Sequence, residues 1–472
     1  MTHHDCDICI IGGGSAGLSL AAGAAQMGAK VLLFEAGVMG GDCLNNGCVP
    51  SKALLAAAKA AHHAIGAPRM GVTGKPPKID FATVKSHVAA VIDGIAPHDS
   101  IERFEALGVT VISEHAAFYD PREVTSKNHT VRAKYFVIAS GSQPDIPPID
   151  GLLDIDFYTN ETIFADPLKP DHLVIIGGGP IGIEMAQAHV RLGVGVTVIE
   201  AFSILARDDS EIVAMLKTRL ESDGVTFIEG VSVVSVRQNQ PSDITLTLTN
   251  GNTIDASHLL IAIGRRPSID GLMLPAARVE FVKNGIVTDR RLRTSNKRIY
   301  AIGDFTGRQK FTHMANYHAS ICLRNILFKY PARIDETAVP WVTYCDPELA
   351  HVGLTHDAAI DCWGEDNVTV TRWDLADNDR ARADHRTEGI VKAVIHKNGR
   401  ILGASILAPM AGEIIQTWIL AIASRQKIAS LATMIAPYPT YGEASKRAAG
   451  NFFTAKLFNK TIQKLVRLLL KV

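Results

Sequence analysis

The first forty residues switch between two hydrophobic periods. From Asp7 to Ile11 the chain is a short apolar run, the pattern of a buried strand. Gly12-Gly13-Gly14-Ser15-Ala16-Gly17 follows, then an alanine-rich helical stretch to Met27, which Gly28 ends. Val31 to Glu35 reads as a second strand. The same order recurs later. His172 to Ile176 is an apolar run, Gly177-Gly178-Gly179-Pro180-Ile181-Gly182 follows, Gly193 matches Gly28, and Glu200 matches Glu35. Gly12 to Glu35 and Gly177 to Glu200 are both separated by 23 positions. Each copy has a second echo downstream, Tyr135 to Pro144 (YFVIASGSQP) and His258 to Pro267 (HLLIAIGRRP), a strand pattern ending in Gly and Pro. The pattern predicts an α/β chain with two Rossmann-like units.

A single Gly-x-Gly-x-x-Gly is weak evidence, but two in register, each between a strand and a helix, point to two dinucleotide sites. Gly12 and Gly177 make the tight turns. Gly14 and Gly179 let a pyrophosphate approach a helix N-terminus, whose free N–H groups favour an anion. Gly17 and Gly182 allow close packing of helix and strand. Glu35 and Glu200 end their strands where a carboxylate accepts hydrogen bonds from ribose hydroxyls. Two dinucleotides suit redox chemistry, one a flavin and one a nicotinamide.

Composition narrows the class. The 472 residues carry no net charge and include seven cysteines. Zero net charge gives no global attraction to nucleic acid. Seven cysteines in so long a chain are too sparse for a disulfide scaffold, so a reducing compartment is expected, with any disulfide catalytic. No apolar run is long enough to span a membrane, and no secretory signal is read at the N-terminus. A cytoplasmic location is expected.

The candidate chemistry lies in GGDCLNNGCVPSK, Gly40 to Lys52. Pro50 suits the first turn of a helix, read here as Ser51 to Ala64. Cys48 then sits at a helix N-terminus, where the dipole favours thiolate, and Lys52 adds positive charge one turn on. Cys43 and Cys48 close a small loop as a disulfide, or open it as a dithiol. No second cysteine or histidine pair has spacing that matches a zinc site. The pair follows the first fold's second strand, which puts FAD at Gly12 and the nicotinamide cofactor at Gly177. Glu200 repels a 2′-phosphate, so NADH is expected to be preferred; Arg207 is the nearest downstream cation.

These segments resemble the flavoprotein disulfide reductases, the family of dihydrolipoamide dehydrogenase, glutathione reductase and mercuric reductase, over essentially the whole chain. Gly40 to Lys52 resembles the family's redox motif, and RIYAIGD, Arg298 to Asp304, resembles its second FAD motif, in which Asp304 would hold the ribityl chain. The resemblance implies an FAD domain over 1–148, an NAD(P) domain over 149–270, a return to the FAD domain over 271–338, and an α+β dimerisation domain over 339–472. It implies that Lys52 pairs with Glu184 beside the flavin, that Cys48 faces the flavin and Cys43 the acceptor. It also implies cofactor contacts at Ser15, Ala16, Ala36, Gly41, Asp42, Lys52, Ala117, Ser140, Gly141, Ile181, Gly264, Arg265, Gly303 and Thr312.

One position departs from the disulfide-reducing members. Their C-terminal histidine, paired with a glutamate, moves protons across the dimer interface; here the segment reads APYPTYGEASKR, with Tyr438 in place of the histidine and Glu443 retained. Tyrosine, with a reference pKa near 10, is a poor base at neutral pH. Mercuric reductases also carry tyrosine there, but they add a C-terminal cysteine pair and an N-terminal metal-binding domain that this sequence lacks. By resemblance to the mercuric reductases, the leading acceptor is a metal ion or another thiol-reactive small molecule. Dihydrolipoamide dehydrogenase is the alternative enzyme, and a slow redox sensor or membrane-docked electron carrier the alternative of another class. A homodimer is expected, with Tyr438 and Glu443 completing the partner's site and no metal resident.

Three further segments carry expectations. Lys456, Lys460, Lys464, Arg467 and Lys471 share one face of a C-terminal helix, with Phe458, Ile462, Leu465, Leu469 and Val472 opposite, which suits an anionic membrane surface or packing on the protein itself. Cys6 and Cys9, three apart on a strand, should point to opposite faces. DNDRARADHR, Asp377 to Arg386, reads as a solvated loop that could flank the acceptor site.

Overall fold

The computed structural model describes residues 1–304, 306 and 309–471, without the side chain of Ala455. The chain forms two compact bodies, one of residues 1–177, 191–195 and 232–335 and one of 178–190, 196–231 and 336–472.

In the first body, strand β1 (Thr2–Ile11) leads into helix α1 (Ser15–Gln26) and strand β2 (Val31–Phe34). β1 lies between β2 and His129–Ile138 in a seven-stranded sheet, parallel to both, with Ile8 opposite Val31 on one side and Tyr135 on the other. Both faces of the sheet are covered, so Ile8, Ile10 and Leu33 are fully buried. Such burial stabilises by about 1.5–3 kcal/mol per aliphatic side chain. Ile299–Ala301 returns to this sheet beside Phe136–Ile138. The small residues of α1 are explained by its neighbour, helix Thr312–Ile326. A Cβ on Gly23 would meet Leu323 Cδ1 at 2.6 Å.

The sequence repeat is a structural repeat. Gly12 and Gly177 have φ of 113° and 115°. A Cβ on Gly12 would run into the Ala139 carbonyl, and one on Gly177 into that of Ala262. Ala139 and Ala262 occupy equivalent places in the two downstream echoes. Those echoes also meet each other: Arg265–Pro267 pairs antiparallel with Ser142–Pro144.

Cys6 and Cys9 depart from the expected alternation, since both are buried in the same core cluster. The Asp7 and Ile8 N–H groups both donate to the Lys30 carbonyl, at 2.9 and 3.2 Å, the mark of a local irregularity in β1 between the two cysteines. Burial raises both thiols, Cys6 to about 12 and Cys9 well above the ordinary range, so neither is a thiolate at neutral pH.

The second body contains a five-stranded antiparallel sheet in the order Pro340–Thr343, Glu348–Gly353, Ile401–Ala408, Ile390–His396, Val368–Asp374. Trp418 is fully buried in its core, and its indole N–H donates to Ser445 Oγ at 3.0 Å, which removes the penalty of burying an unpaired donor. Lys392, on the sheet, pairs with Asp209 and Glu211 at 2.8 and 2.9 Å.

The C-terminal tail is not one continuous helix. Glu443–Leu457 ends, and Asn459 caps a new helix, Lys460–Leu469, by accepting from the Thr461 and Ile462 N–H groups at 3.0 Å. Lys456 therefore belongs to a different helix from Lys460, Lys464 and Arg467. Leu465, Val466, Leu468 and Leu469 are exposed, and Val472 lies outside the described residues. Among the described residues no helix is long and apolar enough to cross a membrane.

Candidate active site

The Gly40 to Lys52 segment runs through one short helix and into the start of a long one. Helix α2 (Gly41–Asn45) carries Cys43, and helix α3 (Cys48–Gly66) begins at Cys48 itself, three residues earlier than the sequence pattern predicts. Pro50 permits this early start because it still falls in the first turn, whose N–H groups need no intrahelical acceptor. Cys48 is thus the first helical residue and is exposed, whereas Cys43 is half-buried. Both sulfurs converge on Thr312, the first residue of helix Thr312–Ile326. Its hydroxyl donates to Cys43 Sγ at 3.0 Å and lies 3.6 Å from Cys48 Sγ. The hydrogen bond to Cys48, then burial, pushes the Cys43 thiol up, so Cys43 is the member of the reduced pair that keeps its proton. Lys52 lies one turn into α3, half-buried.

The backbone around this loop fits a flavin dinucleotide. The N-terminus of α1 has no side-chain cap at Gly14. Gly14 and Gly40 form an isolated bridge, and a Cβ on Gly41 would meet Gly14 Cα at 2.7 Å, so bare backbone faces bare backbone. Glu35 accepts from Gly13 N–H at 2.5 Å and from Gly37 N–H at 2.6 Å, which fixes its carboxylate beside the turn; Ala36 next to it is exposed. A Cβ on Gly303 would lie 3.4 Å from that of Ala16. Asp304 accepts from Ser142 Oγ at 2.6 Å. Ser140 donates to the Ser268 carbonyl at 2.7 Å, and Gly141 accepts from Ser268 N–H at 3.0 Å. Ala117 opens an edge strand of the same sheet and is half-buried. Gly264 accepts from Asp145 N–H at 3.0 Å. Asp42 and Arg265 form an ion pair at 3.1 Å.

The second body repeats the carboxylate geometry. Glu200 accepts from Gly178 N–H at 2.7 Å and from Phe202 N–H at 3.0 Å, as Glu35 does from Gly13 and Gly37. Gly179 has open space where a Cβ would stand, next to helix Pro180–Arg191, on which Ile181 is exposed and Gly182 buried. These residues fit a second dinucleotide. Glu184, on the same helix, is buried and accepts from Tyr344 N–H at 2.9 Å.

Tyr438 and Glu443 do not pair with each other. The Tyr438 hydroxyl donates to Asp379 Oδ2 at 2.7 Å, and Glu443 is engaged by Arg447 at 2.7 Å. The segment Asp377 to Arg386 is no free loop. It contains helix Asp379–Ala383, whose cap Asn378 donates to the Thr440 carbonyl at 3.0 Å, while Tyr441 donates to Asp384 at 3.0 Å. These bonds dock the helix on the Tyr438 segment. The hydrogen bond to Asp379, followed by that carboxylate's charge, pushes the Tyr438 phenol above its ordinary value, so it keeps its proton.

Sequence reasoning missed Asp379, and it missed Asn160, which touches the redox loop. Asn160 carries no motif; Asp379 sat in a run of alternating charges that reads equally well as solvated surface.

Residues 6–319 match the pyridine nucleotide-disulphide oxidoreductase family, and residues 339–449 match its dimerisation domain. The chain belongs to this family of FAD- and NAD(P)H-dependent oxidoreductases. It is 36% identical to a mercuric reductase of Streptomyces lividans, covering 95% of this chain and 97% of that protein. It is 32% identical to a dihydrolipoyl dehydrogenase of Geobacillus stearothermophilus, covering 94% and 96%. Among solved structures it is similar to the Cu(II) complex of the HOCl-induced flavoprotein disulfide reductase RclA from Escherichia coli, with a TM-score of 0.85, 26% identity, and 93% and 99% of the two chains covered.

Proposed function

We propose that this chain is a homodimeric reductase that draws electrons from NADH and delivers them, through FAD and a Cys43–Cys48 disulfide, to a metal ion or another thiol-reactive small molecule. The observation that carries this reading is the convergence of Cys43 and Cys48 on Thr312 at a helix start. FAD, when bound, accepts a hydride from the nicotinamide and supplies an electron pair to a disulfide. Opening that disulfide consumes two electrons and one proton, leaving Cys43 as the thiol and Cys48 as the thiolate at the helix dipole. Cys43 then meets the acceptor. Lys52 and Glu184 act beside the flavin, and the residues around Gly12, Glu35, Gly41, Ser140 and Asp304 hold it. Gly177, Gly179 and Glu200 hold NADH. The domain boundaries that go with this reading are 1–148 and 271–338 for FAD, 149–270 for NAD(P) and 339–472 for dimerisation.

Two similarities support the acceptor class, the mercuric reductases and the copper complex of the HOCl-induced reductase. Steady-state turnover with a panel of acceptors tests it, run once with NADH and once with NADPH. Mercuric and cupric ions and small electrophiles should be reduced faster than lipoamide or glutathione disulfide. NADH should give the higher kcat/KM, with the gap narrowed by Glu200→Gln, because a carboxylate at the ribose repels a 2′-phosphate. Fast lipoamide turnover, or equal use of both nicotinamides, would overturn the corresponding part.

A second element of the reading concerns the tail. In helix Lys460–Leu469, Lys460, Lys464 and Arg467 form a cationic stripe opposite Ile462, Leu465, Val466 and Leu469, and the side chains are exposed apart from half-buried Ile462. No acidic residue follows Glu443 in the sequence. That charge pattern suits anionic headgroups, so the enzyme would work in the cytoplasm at the inner membrane surface. Flotation with anionic liposomes should capture the full chain at low salt and release it at high salt. Capture that survives truncation after Thr454 would refute the assignment.

A further inference from the structure

The redox loop carries a charge that its chemistry does not require. Asp42 precedes Cys43, and an unbalanced carboxylate there would oppose every step that puts negative charge on the sulfurs. Two residues from distant segments meet it. Arg265 reaches Asp42 Oδ1 at 3.1 Å, and Asn160 donates to the same oxygen at 2.9 Å. Asn160 also donates to the Asn46 carbonyl at 3.1 Å, so one amide grips the loop on both sides of Cys43. The guanidinium is itself fixed. It donates to Asn160 Oδ1 at 3.1 Å, to Ser142 Oγ at 2.8 Å and to the Ser142 carbonyl at 2.6 Å. Ser142 in turn donates to Asp304. Asn160 is buried, and the Arg265 side chain is only 11% exposed. The pairing of the two echoes, Arg265 opposite Pro144, aims the arginine at this place.

We propose that Arg265 is a positioning residue for the redox pair: with Asn160 it clamps the Asp42–Asn46 loop and cancels the Asp42 charge, and so sets the proton affinity of the Cys43–Cys48 dithiol. The inference rests on the reading of that pair as the redox centre. Arginine suits the task because its planar fork holds several acceptors at once and stays charged at every working pH. Among the described residues the other charged groups near the loop include Asp99, beside Gly40, Lys52 on α3, Asp304 behind Ser142, and Lys310, whose ammonium donates to the Arg265 carbonyl. Asp99 is pushed up by burial, and it and Asp304 have the wrong sign to replace Arg265.

The test is a charge cycle read on thiolate formation. The reduced holoenzyme is titrated with pH by its long-wavelength thiolate-to-flavin absorbance, and in parallel by iodoacetamide alkylation of Cys43 and Cys48 followed by mass spectrometry. Arg265→Gln should raise the apparent thiolate pKa by about one unit or more, the scale of a lost neighbouring charge. Asp42→Asn alone should lower it, and the Asp42→Asn/Arg265→Gln double variant should return close to wild type. Arg265→Lys should retain the pKa more than Arg265→Gln does. A merely structural arginine would lower the melting temperature without this sign reversal. If Arg265→Gln does not fold, Asp42→Asn still decides, because an unchanged pKa in that variant overturns the proposal. Persistence of the upward shift in the double variant overturns it as well. Wild type with no long-wavelength band would defeat the redox-pair reading, and the alkylation profiles would still judge the charge balance.

Discussion

Cys48→Ser is expected to abolish the long-wavelength absorbance that the wild type should develop on anaerobic reduction with NADH, and to stop acceptor turnover. The reasons are geometric. Cys48 opens α3, where the unpaired N–H groups and the helix dipole favour a thiolate. Cys43 is the member held protonated, by its hydrogen bond to Cys48 and by burial. Removing Cys48 leaves the half-buried Cys43 thiol, which cannot close the disulfide. Turnover should fall on the order of 10⁴-fold or more, the scale of deleting a covalent nucleophile. Cys43→Ser should behave differently. It also cannot close the disulfide, but it leaves Cys48 as a standing thiolate, so the absorbance should be present without any reductant while turnover is lost. Anaerobic titration followed from the visible to the near infrared separates the two. A wild type that takes up two electrons with no such band, or serine variants that exchange these behaviours, would refute the assignment of roles.

The next largest effect is expected at Tyr438. Wild type should turn over lipoamide and glutathione disulfide slowly, since loss of a placed acid–base group costs a factor of about 10²–10⁴. Tyr438 keeps its proton, and its hydroxyl is already donating to Asp379. Tyr438→His should raise disulfide turnover, because an imidazole there titrates near neutrality and finds a carboxylate in place to orient it. The structure names that carboxylate as Asp379, whereas Glu443 is held by Arg447. Adding Asp379→Asn to Tyr438→His should therefore remove much of the gain, and adding Glu443→Gln should remove less. Tyr438 is exposed, so the effect is one of proton transfer more than of stability. Kinetics of the two double variants check this, and rapid dihydrolipoamide oxidation by the wild type would show that another group already does the histidine's work.

Much of this architecture was legible in the residues because it depends on local backbone rules. Gly12 and Gly177 must take a positive φ and leave no room for a Cβ, so the repeat could be read from glycine spacing alone. Glu35 and Glu200 follow from strand length, and Cys48 at a helix start follows from Pro50. The helix onset three residues early and the break at Asn459 are also local, but both turn on which residue caps a helix. Periodicity places a helix without fixing its ends.

The sequence by itself determined the family, the repeated glycine turns at Gly12 and Gly177, and the spacing of Cys43 and Cys48. Only the tertiary structure decided which polar groups face that pair and which face Tyr438. Asn160 reaches Asp42 across 118 positions, and Tyr438 reaches Asp379 across 59. Nothing in the spacing of such residues encodes the meeting. A side-chain hydrogen bond requires heavy atoms within about 3 Å, and that precision exists only after strands such as Ser142–Pro144 and Arg265–Pro267 have paired.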